Sequence, residues 1–179
     1  MEVIIKPGTE LKKIEINQID KSIYREFKVP PVTKDYLEDK LFFLLKKESE
    51  ILAMGALWKV TPVIFIQHTY TFYGFLEVIA NIKGRGYGRR VVVAMREYLA
   101  ARDLTAFGFT MPKNIGFYEK CGFDIEKYST KRFVYMKDGD RITNQDGQVI
   151  FYLDASDQFM KKILSQRDEE VSIPTDGLW

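Results

Sequence analysis

The sequence predicts a mixed α/β (α+β) fold, a sheet flanked by helices, on three observations. β-rich runs such as Leu41 to Lys47, Ile51 to Val60 and Tyr73 to Asn81 are interleaved with amphipathic runs such as Glu15 to Phe27 and Val91 to Ala101. One strand-like run, Tyr73 to Ile79, passes through a glycine-rich stretch straight into a helix-like run. The chain has 179 residues, 46% of them hydrophobic, enough for a full core. One globular domain over residues 1–179 is expected, with 148–179 as a C-terminal strand and an acidic tail.

Taken in order, Glu2 to Lys6 alternates as a first strand, and Pro7-Gly8 closes it. Glu15 to Phe27 has the helical period and stops at Val29-Pro30-Pro31-Val32, since proline lacks the N–H a helix needs. Thr33 is the predicted N-cap of a short helix through Asp39. Leu41 to Lys47 and Ile51 to Val60 are strands around the polar turn Lys46 to Glu50. Val63 to Thr71 is β-rich, and Tyr73 to Asn81 is a further strand. Val91 to Ala101 is helical, Leu104 to Thr110 a strand, and Asn114 to Lys120 a helix. Phe123 to Tyr128, Arg132 to Met136 and Gln148 to Leu153 close the sheet. Turn signals stand at Asp138-Gly139-Asp140 and Asp146-Gly147. Ser156 to Ser165 is a last short helix.

Charge and composition exclude several classes. Charged residues are 29% and the net charge is only +2, which does not mark a nucleic-acid binder. The single cysteine, Cys121, allows no intramolecular disulfide and suits a reducing compartment. Met1 to Lys13 carries no signal-peptide pattern, and no apolar run nears the roughly 20 residues that span a bilayer. A soluble, cytoplasmic protein without membrane partners is expected.

Lys83-Gly84-Arg85-Gly86-Tyr87-Gly88-Arg89-Arg90 is the most informative stretch. Alternate glycines permit a tight turn and close approach of a ligand to the backbone. Successive N–H groups and a helix start form an anion site. Val78 to Arg96 carries Lys83, Arg85, Arg89, Arg90 and Arg96 and no acid. Cations there oppose the helix macrodipole by about 0.3–1 kcal/mol each, a repulsion that a bound polyanion offsets. The stretch is not a Walker loop, which needs G-x-x-x-x-G-K-[ST]. Nor is it a dinucleotide fingerprint, because Arg89 occupies the third glycine's place. Alone, it reads equally as a glycine turn with a solvated basic helix start.

The spacing Lys83-x-x-Gly86-x-Gly88 resembles the [QR]-x-x-G-x-[GA] loop of the GNAT superfamily of N-acetyltransferases, which holds the pyrophosphate of acetyl-CoA. Downstream, Asn114-Ile115-Gly116-Phe117-Tyr118-Glu119-Lys120-Cys121-Gly122-Phe123 is similar to that family's N…FYEKxGF signature. From its residues alone, the signature could equally be aromatic core beside a glycine helix stop. The two motifs, in order and at this spacing, identify the chain as a member. The resemblance implies a mixed, mostly antiparallel twisted sheet flanked by helices, with acetyl-CoA as cosubstrate and no metal. It places Ile79, Asn81, Lys83, Gly84, Arg85, Gly86, Tyr87, Gly88 and Arg89 around the cofactor, Asn114 near the pantetheine arm, and Tyr118 as general acid.

Other pieces resemble the bacterial aminoglycoside 2′-N-acetyltransferases. Gly74 to Ala80 is similar to their GYVEGVA strand, Asp146 to Phe151 to their DDGTVFV strand, and the ending Asp176-Gly177-Leu178-Trp179 to their terminal Asp, Val, Trp. That likeness implies an acceptor site with Glu77, Asp154, Asp176 and Trp179, closed by the tail. The join from Glu77 to the loop is shorter here, Lys83 replaces Arg or Gln, and Asp176 lies one position further from the terminal Trp.

The expected chemistry is acetyl transfer to a primary amine of a small molecule by direct attack, with no nucleic acid or membrane partner; a homodimer is compatible with the sequence. The acceptor ammonium, with a pKa near 10.4 in the lysine-like case, must lose a proton first. Glu77 is the only acid from Lys59 to Met95, and burial would raise its pKa toward neutrality. Alternatively Glu77 is an outward-facing sheet residue and His68, the only histidine, is the base. Backbone N–H groups around Ile79 and Asn81 are expected to hold the thioester carbonyl. Asp168, Glu169, Glu170, Asp176 and the chain end form an acidic tail suited to a polycationic amine, unless it is simply solvated. A peptide N-acetyltransferase and a non-catalytic acyl-CoA-binding module are the alternatives.

Overall fold

The computed structural model describes residues 1–29, 31–137, 140–143 and 147–173. Its elements are β1 (Val3–Pro7), α1 (Lys13–Phe27), α2 (Lys34–Glu38), β2 (Lys40–Lys47), β3 (Glu50–Phe65), β4 (His68–Ala80), α3 (Tyr87–Ala100), β5 (Ala106–Thr110), α4 (Ile115–Lys120), β6 (Asp124–Glu126), β7 (Phe133–Lys137), β8 (Asp140–Thr143), β9 (Val149–Leu153), α5 (Phe159–Ser165) and β10 (Val171–Ile173). The class is the predicted one, mixed α+β, with strands paired mostly antiparallel and flanked by helices. The chain forms two compact units, Met1–Trp58 with Phe75–Glu97, and Lys59–Gly74 with Tyr98–Trp179. The long strands β3 and β4 contribute residues to both.

In the first unit β1, β2 and β3 form an antiparallel meander, from Val3↔Leu45 to Pro7↔Leu41 and from Lys40↔Trp58 to Lys47↔Glu50. Phe42, Phe43, Leu44 and Leu45 are all fully buried, so β2 is covered on both faces, as its uninterrupted apolar run implies. Ile19 and Ile23 of α1 and Val91, Val92 and Met95 of α3 complete that core. Helix α3 approaches β3 closely at Gly55, where a β-carbon would lie 2.8 Å from Met95 Sδ and 3.2 Å from Val91 Cγ1. The start of α1 is tied down by Glu15, which is 1% exposed. It accepts from Lys12 N at 2.9 Å and pairs with Lys6 at 3.0 Å and Lys46 at 2.8 Å. Burial alone would raise this carboxyl, but Lys46, the Lys12 N–H and Lys6 outweigh it and hold it at about 2.

The second unit has the strand order β6-β9-β5-β4-β3-β10-β7-β8. Its core is aromatic: Phe72 stacks on Phe107 at 3.8 Å between centroids, Phe107 meets Phe133 at 4.9 Å, and Phe65 meets Phe159 of α5 edge-on at 6.5 Å. Three features depart from the sequence reading. The β-rich run Val63 to Thr71 is a hairpin, with β3 and β4 joined at Ile66 and Gln67, both left-handed at φ 45° and 60°. A separate strand, β8, follows the Asp138-Gly139-Asp140 turn signal, whose first two residues lie outside the described ones. The acidic run after Arg167 leads into β10, which pairs with β7 in parallel (Val171↔Phe133, Ile173↔Tyr135) and with β3 antiparallel (Ser172↔Ile64). Arg132 anchors the approach, donating to Ile163 O and Glu169 O at 2.7 Å each and to Gln166 O, with Asp168 and Glu169 nearby. Glu170 pairs with Arg141.

Candidate functional site

Strand β4 delivers the chain into the glycine-rich turn, and α3 begins inside the predicted loop, at Tyr87. Gly84 and Gly86 sit at φ 78° and 73°, a left-handed backbone that residues with a β-carbon rarely adopt. A β-carbon built at either would meet nothing within 4 Å, so the main chain lies open there. Arg90 N donates to Gly86 O at 3.1 Å, closing the first turn of α3. The N–H groups of Tyr87, Gly88 and Arg89 therefore sit in the first turn, where a helix supplies no acceptor. No acid stands in that turn. Arg85 and Arg89 are exposed beside it. Lys83 is 75% exposed and paired with Glu26 at 2.8 Å, and Arg90 reaches Met1 O. Open glycine backbone, helix-start N–H groups and exposed arginines fit a pyrophosphate-bearing ligand such as acetyl-CoA.

Asn81 anchors this turn. Its N–H donates to Leu52 O at 2.8 Å, and its Nδ2 donates to Ile51 O at 2.6 Å. Its Oδ1 accepts from Ser22 Oγ at 3.1 Å and from Arg25. The N–H expected to face a thioester is thus committed to β3, and the residue instead joins the end of β4 to β3 and α1. Ile79 is buried, at 2% exposure.

Glu77 breaks the strand. It adopts φ 48°, left-handed for a residue with a side chain, and the burial alternation of β4 fails around it. Its two carboxylate oxygens differ: Oε1 accepts from the Tyr36 hydroxyl of α2, while Oε2 is buried without a hydrogen-bond partner. Burial raises its pKa to about 7. Tyr36 and Lys40 were not singled out from sequence. The Lys40 ammonium lies 3.9 Å from the Tyr36 ring centroid and 5.9 Å from that of Trp58, and bonds Asp39 at 2.8 Å. Only the Thr33 capping signal pointed toward this segment; Thr33 Oγ1 accepts from Tyr36 N at 3.2 Å.

The remaining predicted residues lie in the second unit. Tyr118 of α4 is 8% exposed, its ring stacked on Phe151 at 3.6 Å and 11°. Burial, and then Cys121, push its hydroxyl well above the usual tyrosine range, so it keeps its proton at neutral pH. Asn114 donates to Thr110 Oγ1 at 3.0 Å, bracing the end of β5. Asp154 accepts from Met160 N at 3.0 Å and Lys161 N at 2.9 Å, capping α5. His68 is exposed at the hairpin end of β4, edge-on to Tyr70 at 6.5 Å. Asp176 and Trp179 lie outside the described residues. Among the described residues no cluster of His, Cys, Asp or Glu is placed to hold a metal, and no helix is long and apolar enough to cross a membrane.

Residues 14–123 match the model of the acetyltransferase (GNAT) family. Comparison with curated proteins gave no match. Among solved structures, the chain is similar to an acyl-CoA N-acyltransferase from Pseudomonas aeruginosa (14% identity, TM-score 0.58, covering 85% of this chain and 99% of that one). It is also similar to a Bacillus subtilis acetyltransferase in complex with CoA (18%, 0.55, 86% and 99%). A third is the GNAT family N-acetyltransferase YhbS from Escherichia coli, also in complex with CoA (14%, 0.58, 97% and 90%). At these identities the structures establish the fold alone. The family match, over more than half of the chain and across both the glycine-rich loop and the Asn114 to Phe123 segment, makes the protein a member of the GNAT acetyltransferase family, and so an acyltransferase.

Proposed function

We propose that the protein is an acetyl-CoA-dependent N-acetyltransferase acting on a primary amine of a small molecule. The observation that carries this reading is Glu77: a half-buried carboxylate on the strand leading into the anion loop, raised to about 7, with its buried Oε2 unpartnered. A base poised near neutrality is what deprotonation of an amine requires. Acetyl-CoA, when bound, supplies an acetyl group activated as a thioester. Tyr87, Gly88 and Arg89 would hold its pyrophosphate through backbone N–H groups, with Lys83, Gly84, Arg85 and Gly86 forming the cradle. Glu77 Oε2 takes the proton of the acceptor ammonium. Tyr118 holds its proton far above neutral pH and serves as the acid. The Asn81 N–H is committed to Leu52, and Ile79, two residues earlier in β4, is assigned to the thioester on the sequence resemblance alone.

Asn114 is assigned to the pantetheine arm on the strength of the sequence signature. The acceptor side is assigned to Glu77, Asp154, Asp176 and Trp179. Because Asp168, Glu169 and Glu170 already face Arg132 and Arg141, an aminoglycoside-like polycation would rely on Asp176 and the terminal carboxylate. The test is thiol release from acetyl-CoA across a panel of small primary amines, with Glu77→Gln in parallel. Turnover that Glu77→Gln abolishes while coenzyme A binding persists supports the reading. Coenzyme A binding without turnover on any amine refutes it in favour of a binding module.

A further inference from the structure

We propose that Tyr36 is a positioning residue for Glu77: its hydroxyl holds carboxylate Oε1 so that Oε2 is presented to the acceptor amine, and Lys40 locks the tyrosine in place. This rests on the reading of Glu77 as the base.

The asymmetry of the carboxylate is the starting point. A buried oxygen left without a hydrogen-bond donor costs free energy, and such groups persist where a ligand needs them. Glu77 Oε2 is in that state, while Oε1 is held by the Tyr36 hydroxyl. The left-handed backbone at Glu77, φ 48°, takes its side chain out of the strand's alternation. Tyr36 is itself held at three points. Its N–H donates to Thr33 Oγ1 at 3.2 Å, its carbonyl accepts from Lys40 Nζ, and its ring carries that ammonium 3.9 Å from the centroid. Lys40 is only 8% exposed, so the cation is spent inside the protein rather than on solvent.

The Tyr36 hydroxyl of α2 meets Glu77, and Lys40 from the start of β2 lies against the Tyr36 ring, its charge balanced by Asp39 at 2.8 Å. Burial is what raises Glu77. A donor to the ionised carboxylate works against burial and lowers the value. Removing that donor must therefore move the titration upward.

The test is direct titration of the carboxyl in the whole protein, labelled with 13C at glutamate Cδ, the Glu77 resonance being identified by its loss in Glu77→Gln. The expected wild-type midpoint is about 7. Tyr36→Phe keeps the ring and the Lys40 contact and should raise the midpoint by about one unit, as expected for losing a hydrogen bond to a charged group. Lys40→Met should move it upward by less. Thermal melts confirm that both variants are folded. A folded Tyr36→Phe with an unmoved midpoint near 7 overturns the role of Tyr36 and leaves the base reading intact. A wild-type midpoint near 4, the ordinary glutamate value, overturns both.

Discussion

Replacing Gly86 tests the anion loop most sharply, because strain and charge can be separated there. The residue sits at φ 73° with open space where a β-carbon would go, so a small side chain meets no clash. Gly86→Ala then pays only the left-handed backbone penalty, about 1–2 kcal/mol, felt mainly in stability. Gly86→Asp pays the same penalty and adds a negative charge at the start of α3. Two unit charges about 4 Å apart interact by roughly 1 kcal/mol in water and roughly 4 kcal/mol at an effective dielectric of 20. The loop is exposed, so the lower half of that range applies. A pyrophosphate there should bind Gly86→Asp about fivefold to seventyfold more weakly than Gly86→Ala. Titration calorimetry of coenzyme A against both folded variants measures the ratio, and high salt should narrow it. Equal affinity of the alanine and aspartate variants would refute placement of the pyrophosphate at this loop.

Tyr118→Phe keeps the stack on Phe151 and removes only the proton donor; kcat should fall about 10²–10⁴-fold with the KM for acetyl-CoA nearly unchanged, and an unchanged kcat would assign the acid to another group. Deleting Asp176 to Trp179 should raise the acceptor KM and flatten the salt dependence of acceptor binding, with coenzyme A affinity intact; unchanged acceptor kinetics would place the acceptor site elsewhere. Glu15 falls from an ordinary 4.5 to about 2 on folding. A depressed folded value stabilises above the unfolded pKa and is lost as pH falls through the folded one. Glu15→Gln should therefore lose about 3 kcal/mol near neutral pH and flatten the stability profile between about pH 4.5 and 2; an unchanged acid-denaturation curve would contradict this.

Much of this was legible because local chemistry and tertiary fold agree. Thr33 caps α2 as its side chain requires, α1 stops at Phe27 ahead of the proline run as expected, on a left-handed Lys28 at φ 59°, and Glu77 is the lone acid of an otherwise apolar strand segment. What escaped was non-local. Ile66-Gln67 carries none of the Gly, Asn or Asp that usually marks a two-residue hairpin, so a turn was hidden inside a β-rich run. Strands β8 and β10 are four and three residues long, too short for a period to emerge beside charged neighbours. The Tyr36 contact joins residues 41 positions apart. The commitment of the Asn81 N–H to Leu52 likewise depends on how β3 and β4 pair.

The place of β10 bears on how the protein is made. It is the last described element, yet it lies between β3 and β7 rather than at a margin of the second unit's sheet. During synthesis those two strands emerge well before the residues that join them. Until then each presents a row of unpaired backbone groups, the kind of edge that recruits other chains. A chain ending before Val171 would keep both edges permanently, and aggregation is the expected fate of such a product. Removal of Val171 to Ile173 is therefore the step expected to open both edges at once.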